Sequence, residues 1–211
     1  MYDIPDVVGV CGKKRHGKDT IADALVSDLE YRKLSLADPL KEMLLELNPI
    51  IGLGRNKNGA WAYGDPIVEV YLKDVVEALG WEATKDKYPE SRRLLQVLGT
   101  DIIRAMDPDY WIDLLVDKMT RTWTGFEEND NGVDRWPMFV VPDVRYPNEA
   151  ERIQGMGGMV IKVLRPGMAD DDKHVSETSI DLIVPDFTLV NDKTPEDLKK
   201  RAVELLIEGA W

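Results

Sequence analysis

Val7-Val8-Gly9-Val10-Cys11-Gly12-Lys13-Lys14-Arg15-His16-Gly17-Lys18-Asp19-Thr20 is the stretch on which the fold turns. Val7 to Cys11 reads as a short buried strand. Ile21, Ala22, Leu25 and Leu29 then recur at helical spacing, so the nine residues between are a turn joining strand to helix. Gly12 and Gly17 let that turn curl until successive N–H groups point inward, and the helix N-terminus adds its positive dipole end. A strand, a Gly- and Lys-rich turn and a helix in this order make a phosphate loop. Lys18 is placed to reach the β/γ-phosphates. The generic pattern has Ser or Thr directly after the lysine, whereas Asp19 intervenes here, a carboxylate suited to the first turn of a helix. His16 reads as an exposed filler of the loop, and Cys11 as a small apolar residue at a buried strand end.

Outward from the loop, strands and helices alternate. A strand at Lys33–Ala37 leads into Asp38-Pro39 and a helix bearing Leu40, Met43, Leu44 and Leu47. Residues 48–65 are rich in Gly and Asn and read as a loop. Helices are expected around Ile67–Leu79, from Pro89 to about Ala105, and from Tyr110 to Met119. Residues 125–137 read as an acidic loop before an apolar strand, Met138–Val141, that stops at Pro142-Asp143. A helix from about Asn148, strands Met159–Leu164 and Phe187–Val190, and a helix opened by Thr194-Pro195-Glu196 complete the chain. The expected class is α/β: a parallel five-stranded sheet flanked by helices, in one domain spanning 1–211.

The 211 residues carry 27 Lys plus Arg against 39 Asp plus Glu, a formal charge of −12. Binding to polymeric nucleic acid draws its affinity from phosphate neutralisation, so this balance argues against it. A single cysteine excludes an intramolecular disulfide framework. No apolar run approaches a membrane span and the N-terminus lacks a secretory pattern, so a cytoplasmic protein is expected.

Other charged groups suggest a second anion site. Arg92 and Arg93 lie with Gln96, Thr100 and Arg104 on one helical stretch, and arginine's planar fork suits a pair of phosphate oxygens. Asp143 stands at the carboxyl end of an apolar strand, where open parallel sheets bind ligands, with Arg145 two residues on. A carboxylate there can hold Mg²⁺ through water or orient an acceptor. Arg165 opens a polar segment, about 165–181, containing His174, Ser176 and Glu177, with the composition of a lid and Pro166-Gly167 as its hinge.

GKKRHGKDT, RRLLQVLGTDIIR, DYW, FVVPDVRYPNEAE, VIKVLRPG, HVSE and LVNDKTPEDL follow one another in this chain, and the set resembles bacteriophage deoxynucleoside monophosphate kinases from about Val7 to Leu206. The one-residue offset at Asp19 is common among nucleoside monophosphate kinases. The resemblance implies an adenylate-kinase-like P-loop NTPase fold with a nucleotide-binding insertion, about 38–121, and a lid. It implies transfer of the ATP γ-phosphate to a 2′-deoxynucleoside 5′-monophosphate, with Mg²⁺. Gly12, Lys14, Gly17, Lys18, Asp19 and Thr20 would hold ATP phosphates, with Asn191 and Asp192 near adenine. Asp38, Lys41, Arg92, Arg93, Gln96 and Thr100 would serve the monophosphate, and Asp143 and Arg145 would lie between the two sites. Arg165, His174 and Glu177 would belong to the lid, with Thr20 and Asp143 toward the metal. A homodimer is compatible with this reading. A GTPase switch lacks support, since no Asn-Lys-x-Asp motif is present. Dephospho-coenzyme A and phosphomevalonate kinases, and a nucleotide-binding module without turnover, remain as alternatives.

Overall fold

The computed structural model describes residues 4–54, 68–128, 137–168 and 178–209, in two compact units: one formed by the chain up to Leu36 and from Asp109 onward, the other by 37–108. The first unit is built on a five-stranded parallel sheet. Its strands are β1 (Val7–Cys11), β2 (Arg32–Lys33), β5 (Phe139–Val144), β6 (Met159–Leu164) and β7 (Phe187–Val190), in the spatial order β2-β5-β1-β6-β7. All residues of β1 are buried, as expected of a central parallel strand covered on both faces.

One face carries Val8, Val10, Val140, Ile161 and Val163 against α1 (Lys18–Leu29) and α7 (Pro195–Ile207), which contribute Ile21, Leu25, Leu198, Ala202 and Leu206. On the other face, a Cβ at Gly9 would stand 2.9 Å from Ile153 of α6 (Pro147–Gly155), so the glycine lets that helix settle on the sheet. Phe139 meets Trp123 of α5 (Tyr110–Glu128) edge-on, with ring centroids 5.6 Å apart. Thr194 caps α7 by accepting from the Asp197 amide at 3.2 Å, as the Thr-Pro-Glu signal predicts.

The second unit holds α2 (Asp38–Leu47), an antiparallel hairpin of β3 (Ile50–Gly54) and β4 (Val68–Tyr71), α3 (Leu72–Lys87) and α4 (Pro89–Gln96). Helix α4 runs on as a π-helical segment, Val97–Arg104. Its core is small: Leu44, Ile51, Leu72 and Val75 are buried, with Trp81, Tyr88 and Leu95 among the side chains packed around them. Helix α3 is kinked at Gly80, which sits at φ 76°.

Several elements depart from the sequence expectation. The second strand is only Arg32–Lys33, although the Leu34 amide still donates to the Val140 carbonyl at 2.9 Å. The expected loop 48–65 contains β3, and the helix expected at 67–79 is a strand to Tyr71 and a helix only from Leu72. Val68, Val70 and Tyr71 fit a strand as well as a helix, and over so short a run periodicity does not separate the two. Helix α5 continues through residues 125–128, nine residues beyond Met119. Strand β5 runs past Pro142 to Val144 with a register shift opposite β1, because proline has no N–H to give the ladder. The expected insertion 38–121 also reaches into α5, which belongs to the first unit, whereas the second unit ends at Pro108. Residues 55–65 of the expected loop, 129–136 of the acidic loop and 169–177 of the lid, with His174, Ser176 and Glu177, lie outside the described residues.

Candidate active site

The loop between β1 and α1 is shaped by two glycines that no other residue can replace without strain. Gly12 has φ 148°, and a Cβ there would lie 2.6 Å from the Val163 carbonyl oxygen. Gly17 has φ 109°, and its Cβ would lie 2.8 Å from both Asn191 Nδ2 and Leu198 Cδ2. Between them Arg15 adopts a left-handed conformation at φ 63°. The turn is closed by the His16 amide donating to the Lys13 carbonyl at 3.2 Å. Lys18 Nζ donates to the carbonyls of Gly12 and Lys13 at 2.6 and 2.9 Å, so the ammonium is held within the loop at the N-terminus of α1.

His16 is buried, contrary to its reading as an exposed filler. Its Nδ1 lies 3.2 Å from the Val163 carbonyl and 3.4 Å from the Arg165 amide nitrogen; a protonated Nδ1 donates to the first, an unprotonated one accepts from the second. Asn191 Nδ2 donates to the His16 carbonyl at 2.9 Å, and the Asn191 amide donates to Leu164 at 2.7 Å. The loop is thereby tied to the carboxyl ends of β6 and β7. Nothing in the local sequence announces this, because the partners stand 147 and 175 positions away.

A cleft of about 250 Å³ opens beside the loop, wholly within the first unit, and Arg15, Lys18, Thr20, Arg165, Asn191 and Lys193 are among its lining residues. Of the nine lining residues four carry positive charge and one, Asp19, negative charge, in a chain of net charge −12, a composition suited to an anion. Arg15 lies within the predicted phosphate loop, whereas Lys193 escaped the sequence reading. Charge just after the last strand is the signal that could have found it.

The predicted residues fare differently. Gly17, Lys18, Asp19, Thr20, Arg165 and Asn191 all border this cleft. Gly12 underlies the loop and Lys14 is exposed on it. Asp19 accepts from Lys33 Nζ at 2.9 Å, and Asp23 accepts from the same ammonium at 3.1 Å. Partial burial pulls the Lys33 pKa down, but the two carboxylates outweigh it and hold it above the ordinary lysine value. Asp192 lies 3.5 Å from Arg201 Nη2 and pairs there.

Asp143 is half-buried, accepting from the Ser35 hydroxyl at 2.7 Å and from the Leu36 amide at 3.0 Å, so it braces the segment after β2. Arg145 donates its amide to Glu149 at 2.8 Å, and Tyr146 does the same at 3.1 Å, a cap that fixes the turn from β5 into α6. Cys11 is fully buried at the end of β1; burial pushes its thiol up to about 11 and Lys162 and Lys18 pull only partly against this.

In the second unit Asp38 and Lys41 pair with each other at 3.1 Å on the first turn of α2. Arg93 donates from Nε and Nη2 to the two oxygens of Glu90 at 2.8 and 2.7 Å, and Arg92 lies 3.5 Å from Asp86. Arg93 is exposed, while Arg92, Gln96 and Thr100 are half-buried along α4 and the π-helical segment. A Cβ at Gly99 would stand 2.6 Å from Leu40, so the glycine sets how closely that segment packs on α2.

The model of the deoxynucleotide monophosphate kinase family matches residues 6–60 and 62–202. The chain belongs to that family. It is 26% identical over 238 residues to the deoxynucleotide monophosphate kinase of Enterobacteria phage T4, covering 91% of this chain and 95% of the relative. The Escherichia phage RB69 enzyme is 25% identical over 228 residues, covering 97% and 86%. A relative in Acanthamoeba polyphaga mimivirus is 28% identical over 204 residues, covering 93% and 94%. Among solved structures, the chain is similar to shikimate kinase from Aquifex aeolicus, with a TM-score of 0.45 at 12% identity, over 97% of this chain and 99% of that one. As a member of this family the chain is a phosphotransferase, on an α/β P-loop kinase-like fold. No helix among the described residues is long and apolar enough to cross a membrane.

Proposed function

We propose that this kinase transfers the γ-phosphoryl group of ATP to a 2′-deoxynucleoside 5′-monophosphate, giving ADP and the deoxynucleoside diphosphate. The observation that carries the reading is the loop from Gly12 to Lys18, with a lysine ammonium held inside a turn whose two glycines leave no room for a Cβ. In the reaction, an oxygen of the acceptor phosphate bonds to the γ-phosphorus as the bond to the β–γ bridging oxygen breaks. Lys18 would follow the charge as it moves to that leaving oxygen, and the N-terminus of α1 supports it electrostatically. Lys14, Arg15, Asp19, Thr20 and Arg165 form the donor's phosphate surroundings in this proposal, while Asn191 acts by holding the loop.

Magnesium fits the donor set. Thr20 offers a hydroxyl and Asp143 a carboxylate fixed by two hydrogen bonds, both hard oxygens. When bound, Mg²⁺ supplies charge neutralisation across the β- and γ-phosphates.

The acceptor is assigned to the second unit, where Arg92, Arg93, Gln96 and Thr100 share one helical stretch, with Asp38 and Lys41 on α2. Exposed Arg93 and half-buried Arg92 pair with carboxylates three and six positions away, contacts readily released to a dianionic phosphate. Transfer of label from γ-³²P-ATP to a panel of deoxy- and ribonucleoside monophosphates tests the proposal. Labelled deoxynucleoside diphosphate is the expected product. Label appearing only as inorganic phosphate, or on dephospho-coenzyme A, would overturn it.

A further inference from the structure

Helix α7 carries an arginine with no part in the proposed chemistry, yet it grips the chain beside Asn191, which holds the phosphate loop. Arg201 Nη2 donates to the Val190 carbonyl at 2.5 Å and lies 3.5 Å from Asp192 Oδ1, while its Nε lies 3.0 Å from Asp197 Oδ2. Both Arg201 Nε and Asp197 Oδ2 are shut off from solvent. One guanidinium therefore spans both residues that flank Asn191 and anchors them to α7.

Asn191 itself is what reaches the loop. Its side-chain amide donates to the His16 carbonyl, one peptide before the lysine-bearing turn enters α1. The fit is close on both sides, since a Cβ at Gly17 would meet Asn191 Nδ2 and Leu198 Cδ2 at the same 2.8 Å. A shift of Val190–Asp192 would carry the Asn191 amide with it, and the His16–Gly17 peptide has no slack to follow.

We infer that Arg201 is a positioning residue for the nucleotide donor, acting through Asn191 on the phosphate loop, an inference that rests on the donor assignment above. Two features single it out from an ordinary surface ion pair. It combines hydrogen bonds to a main-chain carbonyl and to Asp192 with a buried ion-pair contact to Asp197, so it is held at three points. It is also two-thirds buried, so solvent screens it less than the exposed pairs elsewhere on α7.

The test is steady-state kinetics on Arg201→Ala, Arg201→Lys, Asn191→Ala and the Arg201→Ala/Asn191→Ala double variant, with thermal melts of each. Arg201→Ala should raise KM for ATP about tenfold, below the hundredfold that misplacement by an ångström can cost, and leave KM for the monophosphate within about twofold. Arg201→Lys should fall between, because a point charge keeps the Val190 contact and loses the fork. Since both residues act on one loop, the double variant should be no more than about twofold worse in KM for ATP than the worse single variant. Multiplying effects, or equal rises in both KM values, would overturn the inference by making Arg201 a general stabiliser. Failure of both Arg201 variants to fold would do the same, with Arg201→Gln, which retains a donor toward Val190, as the milder check. Wild-type protein that shows no ATP-dependent transfer would instead remove the donor assignment, so the two failures are distinct.

Discussion

The phosphate loop and the arginine helix both gather positive charge, but they hold it in opposite ways. Around the loop the fixing contacts are long in sequence: His16 to Val163, Asn191 to His16, Gly12 against Val163. On α4 they are local, with Arg93 bound to Glu90 one turn away and Arg92 reaching only to Asp86. The loop joins a strand and a helix of a core that includes Val8, Val10, Ile21, Leu25 and Leu198, whereas the apolar cluster of the second unit has four buried hydrophobic side chains. Contacts between distant segments hold a geometry before ligand arrives. Exposed pairs within a turn are worth little and exchange readily. In the proposed function, the first unit offers a ready-made phosphate cradle and the second a set of charges that re-pair on binding.

The largest effect should follow from the loop's own lysine. Lys18→Ala is expected to lower kcat about a thousandfold with the fold intact, in the range set by removing a preorganised charge partner of a transition state. Circular dichroism checks the fold and a coupled ADP assay the rate. Turnover within threefold of wild type would break the contrast at its stronger end.

Glycine replacements compare the two units directly. At Gly17 an alanine meets both a left-handed φ and two atoms at 2.8 Å, whereas at Gly80 it meets only the φ of 76°, with nothing within 4 Å. Such backbone strain costs about 1–3 kcal/mol, and the contacts at Gly17 add to it. Gly17→Ala should therefore melt several degrees below Gly80→Ala, and only Gly17→Ala should weaken ATP. Equal melting temperatures would mean that the loop is not held by its distant partners.

Glu90→Gln should free Arg93 and lower KM for the monophosphate about two- to threefold, with no measurable change in melting temperature. Arg93 holds the Glu90 carboxyl below its ordinary pKa. The pair is thus intact above the unfolded carboxyl's pKa and is lost as pH falls through the lowered folded value. The advantage of the variant over wild type should accordingly shrink in acid. A rise in KM at neutral pH would mean that Glu90 itself contacts the acceptor.

The smallest effect concerns Cys11, whose buried thiol stays neutral up to about 11. It should resist a maleimide at pH 8 in the native protein and react once unfolded. A group raised in this way contributes stability below the unfolded value of 9.0 and loses it as pH rises through about 11. Rapid native labelling would show that the end of β1 opens.

The sheet was legible because its strands are continuous apolar runs between turn signals: Val7–Cys11, Met159–Leu164 and Phe187–Val190 stand where the pattern puts them. The hairpin β3–β4 was not, since Ile50–Gly54 contains two glycines and Val68–Tyr71 is too short for its period to speak. In the phosphate loop, residue types and flanks carried the reading, but the brace from Asn191 and the burial of His16 depend on partners that only the folded sheet brings near. The π-helical turn at Val97–Arg104 was read as ordinary helix because its hydrophobic spacing is the same over two turns. Asp143 shows the limit most clearly, for its place at a strand end was readable and its bonds to Ser35 and Leu36 were not.

Calorimetric titration of Arg93→Ala, with ATP and with a deoxynucleoside monophosphate separately, bears most directly on the division of labour between the units. Loss of a charge-assisted bidentate contact should weaken the monophosphate about ten- to a hundredfold and leave ATP within twofold of wild type. Weakened ATP with an unchanged monophosphate would contradict the account, because donor and acceptor would then not be recognised by the separate regions to which they are assigned.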